Sequence, residues 1–370
     1  MVSGGAGFIG SHTVVELINA GFTNIIIVDN FVNSSIESLS RVRTIIGESK
    51  NYTLVNYDID LAVDREQLDV IISKHRPYAC IHFAGLKAVG ESIQKPLLYY
   101  QNNLISTTNL MEILSKYGCE NIIFSSSATV YGNNPLNKVP ITEESQVGVG
   151  LTNPYGKTKY FIEEILKDYA FTNKQSNIVI LRYFNPIGAH KSGLIGEDPQ
   201  GIPNNLMPYL LRVAIAQTKK ESDVEFYNKY KQLSVFGNDY DTVDGTGVRD
   251  YIHVTDLAQG HVNSLVYDII KRSKEKEKTS DIESNKVSIY NLGTGKGTSV
   301  LELTKALEKA CGFKVPYVIK DRRAGDIGIL YANCDVAKKE INWTAKLDVN
   351  NACKDAWNWQ QKNPYGFKKQ

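Results

Sequence analysis

The chain has 370 residues, 42% of them hydrophobic and 22% charged, with 42 basic against 40 acidic side chains and a net charge of +2. That length buries a large core and fits one large domain or two coupled ones. The balanced charge, without a basic stripe carrying interleaved aromatics, argues against nucleic acid as a partner, and no apolar run nears the ~20 residues that span a bilayer.

In chain order, the first unit is Ser3-Gly4-Gly5-Ala6-Gly7-Phe8-Ile9-Gly10, leading into a helical stretch over Ser11–Ala20. It contains both Gly-x-Gly-x-x-Gly and Gly-x-x-Gly-x-x-Gly. Gly4, Gly7 and Gly10 permit a tight turn and close backbone approach to a pyrophosphate, which a helix N-terminus attracts. A strand over Ile25–Val28 follows and ends at Asp29, nineteen residues after Gly10. An acid there suits an adenosine ribose diol and repels a 2′-phosphate, so the expected cofactor is NAD. Only Met1-Val2-Ser3 precedes the turn, against a usual strand length of ~5–6 residues. The expectation is a very short central strand or a shortened chain start.

Helical patterns over Asp64–His75, Leu97–Tyr117 and Tyr155–Phe171 alternate with apolar, β-branched runs at Ala79–Phe83, Asn121–Phe124 and Ile178–Leu181. This alternation predicts an α/β fold, a doubly wound parallel sheet of the Rossmann kind. Residues 1–185 read as the dinucleotide-binding domain, with returns near 250–265 and 287–293. Residues 186–370 read mainly as a smaller C-terminal substrate-binding lobe. That lobe looks loopier, with turns at Gly193–Pro203 and Gly237–Gly247, and Lys271–Lys286 reads as a solvated charged loop. The polar insertions near 219–231 and 271–286 suggest no function.

Tyr-x-x-x-Lys, which places a phenol and an ammonium on one helix face, occurs at Tyr155/Lys159, Tyr227/Lys231, Tyr267/Lys271 and Tyr365/Lys369. Tyr155 alone follows a helix start, Asn153-Pro154, and has upstream a strand ending in Ser125-Ser126-Ser127. Ligands of an open parallel sheet sit beyond strand C-termini, so Tyr155, Lys159 and Ser127 are the candidate catalytic group. The other three pairs read as surface pairs. Cys80, Cys119, Cys311, Cys334 and Cys353 lack Cys-x-x-Cys spacing and read as free thiols of a reducing compartment. With no signal-peptide pattern, the expected location is cytoplasmic. No metal site is expected.

Together with Val28–Asn30, His82–Ser92, Phe124–Gly132, Arg182–His190, Ile202–Met207, Gly245–Val254 and Arg322–Asp326, these segments resemble the UDP-glucose (UDP-galactose) 4-epimerases of the extended short-chain dehydrogenase/reductase family. The resemblance covers nearly the whole chain. It implies interconversion of UDP-galactose and UDP-glucose in galactose metabolism. Tyr155 takes the sugar 4-hydroxyl proton, bound NAD transiently accepts hydride, and a 4-keto sugar turns over before hydride returns. Lys159 and the nicotinamide charge are expected to lower the Tyr155 pKa from ~10 to ~7, which requires about 4 kcal/mol. Lys159 is also expected to reach the nicotinamide ribose, and Ser127 to hydrogen-bond the reacting oxygen.

The family pattern carries further cofactor contacts onto Phe8, Ile9, Asn30, Asn33, Ser34, Asp60, Leu61, Phe83, Ala84, Gly85, Lys87, Asn102 and Phe184. It carries nucleotide-sugar contacts onto Asn185, Asn205, Leu206, Phe236, Arg249, Arg323 and Asp326. Arg249 and Arg323 suit a diphosphate, Phe236 suits packing beside uracil, and His12 and His253 read as structural. Leu330 stands where relatives gate the sugar 2-substituent. The resemblance also implies a homodimer through the helices Leu97–Tyr117 and Tyr155–Phe171. A nucleotide-sugar 4,6-dehydratase needs a carboxylate beside the catalytic hydroxyl, and Ser127-Ala128-Thr129 offers none. A noncatalytic NAD-binding scaffold has no need of an intact Tyr155, Lys159 and Ser127.

Overall fold

The computed structural model describes residues 1–47, 51–276, 286–323 and 325–367. The first half runs β1 (Val2–Ser3), α1 (Phe8–Asn19), β2 (Asn24–Asp29), α2 (Ile36–Ile46), β3 (Thr53–Asp58), α3 (Arg65–His75), β4 (Cys80–His82), α4 (Val89–Gln94), α5 (Pro96–Lys116), β5 (Asn121–Ser127), α6 (Pro154–Thr172) and β6 (Asn177–Tyr183). The second runs β7 (Asn185–Ile187), α7 (Leu206–Thr218), α8 (Val224–Lys229), β8 (Leu233–Phe236), β9 (Val248–Arg249), β10 (Tyr251–His253), α9 (Val254–Asn263), α10 (Lys271–Lys276), β11 (Lys286–Leu292), β12 (Thr298–Ser299), α11 (Val300–Cys311), β13 (Tyr317–Lys320), β14 (Ile329–Leu330), α12 (Asp335–Ile341) and α13 (Val349–Lys362).

Seven strands form one parallel sheet in the order β11-β6-β5-β4-β1-β2-β3. The order reverses beside β1, which pairs on one side with β2 (Val2 opposite Ile27) and on the other with β4 (Val2 opposite Ile81). The short first strand is therefore central, and its two residues are fully buried. Side chains alternate between two apolar layers. Ile25, Ile27, Ile123, Val179 and Leu181 pack with α1, α2 and α9. Ile26, Val28, Ile122, Phe124, Ile178 and Ile180 pack with α3, α5 and α6. Burial on both faces is why these strands read as continuous apolar runs.

The structure differs from several expectations. The first helix starts at Phe8, inside the glycine turn. α2 and β3 were not expected: α2 is only weakly apolar overall, and β3 is half-exposed at the sheet edge. The chain after residue 186 carries α7 to α13, of which α9 and α12 pack in the sheet-side core, and it is less loopy than its glycines suggest. Lys271–Lys276 is helix, because α9 continues through a π-helical turn at Ser264–Ile270 into α10. The rest of the charged stretch, residues 277–285, lies outside the described residues. The insertion near 219–231 holds α8, capped by the Asp223 side chain accepting from Phe226 N.

Candidate active site

At the switch point between β1 and β4 the glycine turn has no room for side chains. A Cβ on Gly10 would stand 2.3 Å from the Gly4 carbonyl, and one on Gly4, at φ +69°, 2.7 Å from Ala84 N. Asp29 closes the turn. Its carboxylate accepts from Ala6 N at 2.9 Å, Phe31 N at 3.0 Å and the Ser34 hydroxyl at 2.8 Å. Burial raises its pKa, against the pull of these three donors. Beside it, Asn30 donates to Asp60 at 2.9 Å, and Asp60 accepts from Ala62 N at 2.8 Å.

Across the sheet, α6 begins where the Asn153 side chain accepts from Gly156 N at 2.8 Å, with Pro154 in the first turn. The helix presents Tyr155, half-buried, and Lys159, buried, to the C-terminal end of β5. Lys159 Nζ donates to the Ser125 carbonyl at 2.5 Å and lies 5.9 Å from the centre of the Tyr155 ring. Burial pulls its pKa down to about 7, partly opposed by Glu163. The Ser127 hydroxyl accepts from Thr129 N at 3.2 Å and Thr129 Oγ1 at 3.0 Å. Both donors sit on its lone pairs, so its own proton is free to point at Tyr155.

Of the two groups expected to lower the Tyr155 pKa together, Lys159 and the nicotinamide, Lys159 does not lower it by itself. The protein's own groups do not depress the Tyr155 hydroxyl. Burial pushes it up to about 12, and Ser127 alone pulls it back. The Lys159 ammonium is turned toward the strand carbonyl, so desolvation dominates.

Three strands support this corner. Ser126 on β5, Arg182 on β6 and Asn291 on β11 stand in register. Arg182 bonds Glu163 of α6 through Nε at 3.1 Å and an Nη at 2.7 Å, and Tyr131 at 3.0 Å. Ser126 donates to Glu163 at 2.5 Å, and Tyr131 donates to Asn291 at 2.6 Å. Ser126 thus points away from Tyr155, on the opposite face from Ser125 and Ser127. Neither Glu163 nor Arg182 was singled out from sequence. The available signal was an arginine inside the apolar run Ile178–Tyr183, which demands a buried partner.

Every residue singled out as a candidate contact, together with Leu330, lines one cleft of about 1640 Å³ beyond the C-terminal ends of the sheet strands. On the lobe side, the Arg323 guanidinium lies 3.8 Å above the Phe236 ring, and Arg249 reaches Asp326 at 3.3 Å. Asn205 immediately precedes α7, and Asn185 N donates to the Asp250 carbonyl at 2.9 Å. Leu330 pairs with Arg249 in the β9–β14 ladder.

The residues set aside as structural are held by the fold. His253 accepts from Thr255 N at 3.0 Å and meets Asp355 at 3.3 Å, and His12 bonds the Phe8 carbonyl at 2.7 Å. Of the other Tyr-x-x-x-Lys pairs, Tyr227 lies on α8, Tyr267 is exposed on the π-helical turn, and Tyr365 donates to Asp223 at 2.7 Å. Lys369 lies outside the described residues. All five cysteines are free. Among the described residues no cluster suits a metal ion, and no helix is long and apolar enough to cross a membrane.

The cradle fits a dinucleotide on two counts: a backbone turn that any Cβ would fill, and a buried acid at the end of β2. Comparison with known proteins agrees. A family described as GDP-mannose 4,6 dehydratase matches residues 1–356. The chain is 50% identical over 367 residues to UDP-glucose 4-epimerase 2 of Arabidopsis thaliana, covering 99% of this chain and 96% of that one. It is 50% identical over 373 residues to the Homo sapiens UDP-glucose 4-epimerase, covering 99% and 97%. The crystal structure of the Bifidobacterium longum UDP-glucose 4-epimerase in complex with NAD⁺ and UDP superposes with a TM-score of 0.86 at 48% identity, covering 99% and 98%.

Proposed function

The chain belongs to the GDP-mannose 4,6 dehydratase family and, within it, to the UDP-glucose 4-epimerases, and from that premise we infer that it is an NAD-dependent isomerase that interconverts UDP-galactose and UDP-glucose through a 4-keto intermediate. One arrangement carries the reading: Tyr155, Lys159 and Ser127 stand at the ends of β5 and α6, in the same cleft as a glycine turn and two arginines.

Gly4, Gly7 and Gly10 with the α1 N-terminus would hold the pyrophosphate, and Asp29 the adenosine ribose. Phe8, Ile9, Asn30, Asn33, Ser34, Asp60, Leu61, Phe83, Ala84, Gly85, Lys87, Asn102 and Phe184 would complete the cofactor wall. The bound NAD supplies a reversible hydride acceptor, so no net redox change occurs. Tyr155 exchanges the proton of the sugar 4-hydroxyl, and Ser127, with its proton free, orients that oxygen. Lys159, fixed by Ser125, keeps a positive field beneath the phenol. Its neighbour Glu163 favours the charged form of Lys159. Arg249 and Arg323 face the diphosphate, with Asp326 orienting Arg249. Asn185, Asn205, Leu206 and Phe236 hold the rest of the nucleotide sugar.

Residues 1–185, with the returns near 250–265 and 287–293, form the cofactor domain in this reading, and 186–370 mainly the sugar lobe. Two layers packed on the large sheet and a separate core around Leu210, Leu233, Leu307 and Trp357 support the division. The protein would act as a homodimer in the cytoplasm. Apolar side chains exposed on α5 and α6 support the first statement, and five free thiols the second. Dehydration is disfavoured because positions 128 and 129 carry alanine and threonine in a turn after β5.

The test is incubation of purified protein with UDP-galactose, followed by proton NMR. An equilibrium mixture with UDP-glucose is expected. A 4-keto-6-deoxy product, or unchanged substrate with NAD bound, overturns the reading.

A further inference from the structure

An ion pair joins the two sides of the cleft. Lys87, on the loop after β4, sends Nζ to Glu197 Oε1 at 2.9 Å across 110 residues of sequence. The same oxygen accepts from Asn205 Nδ2 at 3.4 Å. The Glu197 side chain is only 8% exposed, while that of Lys87 is 47% exposed.

Both backbones are fixed. Asn103 accepts from Leu86 N at 2.8 Å and donates to the Leu86 carbonyl at 3.0 Å, and Ala88 N donates to the Tyr99 hydroxyl at 3.0 Å. On the far side, Gly196 bridges Ala189, and Asp198 takes Arg212 at 3.1 Å and Phe367 N at 2.8 Å. Glu197 stands between these anchors as the residue that reaches across.

We propose that Glu197 is a positioning residue that holds Lys87 and Asn205 together, keeping the cofactor half and the sugar half of the cleft in register during turnover. This rests on the reading above, in which Lys87 faces the cofactor and Asn205 the sugar. A buried carboxylate needs its cation, and an ammonium has three donors. Lys87 can therefore stay on Glu197 while another N–H serves the cofactor. Asn205 shares the acceptor, so the orientation of the sugar-side amide depends on the same atom. A 4-keto sugar that turns between two faces must be retained until it is reduced, and a cleft out of register releases it early.

The experiment compares the NAD-loaded parent with Glu197→Gln and Glu197→Asp. Readouts are kcat and KM for UDP-galactose, bound NAD and absorbance at 340 nm during turnover. Glu197→Gln keeps an acceptor but removes the charge. We expect its kcat to fall at least tenfold, with 340 nm absorbance per turnover rising at least threefold as keto sugar escapes and reduced cofactor is stranded. Glu197→Asp should restore part of both, and bound NAD should match the parent. Parent-like kinetics and absorbance in Glu197→Gln overturn the proposal, as does lost activity without the 340 nm signal. A parent that leaves UDP-galactose unchanged fails the functional reading instead, before any variant is compared.

Discussion

Lys159 stands one helical turn after Tyr155, yet its ammonium is bonded to the Ser125 carbonyl at 2.5 Å, not to the phenol. The strand end thus fixes the cation, and the cation supplies a field without holding the tyrosine proton. Removing the phenol oxygen should leave this arrangement intact. Tyr155→Phe is expected to bind NAD and UDP-sugar as the parent does, with kcat reduced about 10²–10⁴-fold, the range for a positioned acid–base group. Steady-state kinetics with cofactor content measured after acid release checks it. Turnover within tenfold of the parent removes Tyr155 from the base role.

Beneath that pair, the Glu163 and Arg182 side chains are 0% and 2% exposed. Breaking such a pair on one side leaves an uncompensated buried charge, at a cost of about 3–5 kcal/mol. Arg182→Met should therefore lower the urea midpoint sharply. Replacing both, as Glu163→Gln with Arg182→Met, should recover part of the loss. A single variant within about 0.5 kcal/mol of the parent, the usual range for an ordinary surface change, contradicts the role assigned here.

What was legible in the sequence follows from these packing facts. Strands buried on both faces showed as apolar runs, because a polar side chain sits in them only with a partner. Arg182 is the one charged group among the polar exceptions of β6, and its meaning depended on Glu163 and Asn291, which no local pattern connects. β1 was legible only as an anomaly: two residues carry no periodicity, and their pairing on both sides comes from the turn that follows. Edge strand β3 is half-exposed and polar, so its signal was weak. The Tyr155 site was singled out by the strand-end serines, but the orientation of Lys159 was not. Helical spacing puts two side chains on one face without saying which acceptor wins.

The glycine turn gives a cofactor prediction. A methyl group on Gly10 would lie 2.3 Å from the Gly4 carbonyl and 2.8 Å from Gly5 Cα. Both contacts are backbone, so the turn itself must move. Gly10→Ala is expected to purify with less than a tenth of the parent's NAD, read by absorbance after release. Parent-like NAD content means that the turn does not contact the cofactor.

Three buried histidines make stability depend on acid. Burial lowers the pKa of His12 and His82 to about 3 and that of His261 to about 4. Each stays neutral in the fold but takes a proton in the unfolded chain below about pH 6.5. The unfolded state then binds more protons, so stability falls as pH drops below 6.5 and levels off near the folded values. His82 accepts from Ser3 at 2.7 Å and meets Thr107 at 3.0 Å. His82→Asn should be less stable than the parent at pH 7.5. The gap should narrow by about 1.4 kcal/mol for each pH unit below 6.5. Urea midpoints at pH 7.5, 6.5 and 5.5 measure this, and a constant gap rules out titration of His82.

The outer faces of α5 and α6 expose Leu97 at 73%, Ile105 at 43% and Phe161 at 40%. Scattered apolar residues on a surface mean little, but a run along two packed helices marks a contact face. Tyr100 extends it, its ring centre 6.3 Å from that of Phe161. If two copies meet there, a carboxylate on each side adds charge repulsion and desolvation at every symmetry-related contact, because a two-fold interface doubles each substitution. The parent is expected to sediment as a dimer, and Ile105→Glu with Phe161→Glu as a monomer that keeps bound NAD, since the cleft lies beyond the C-terminal ends of the sheet strands. A monomeric parent, or a double variant that stays dimeric, moves the interface elsewhere or removes it.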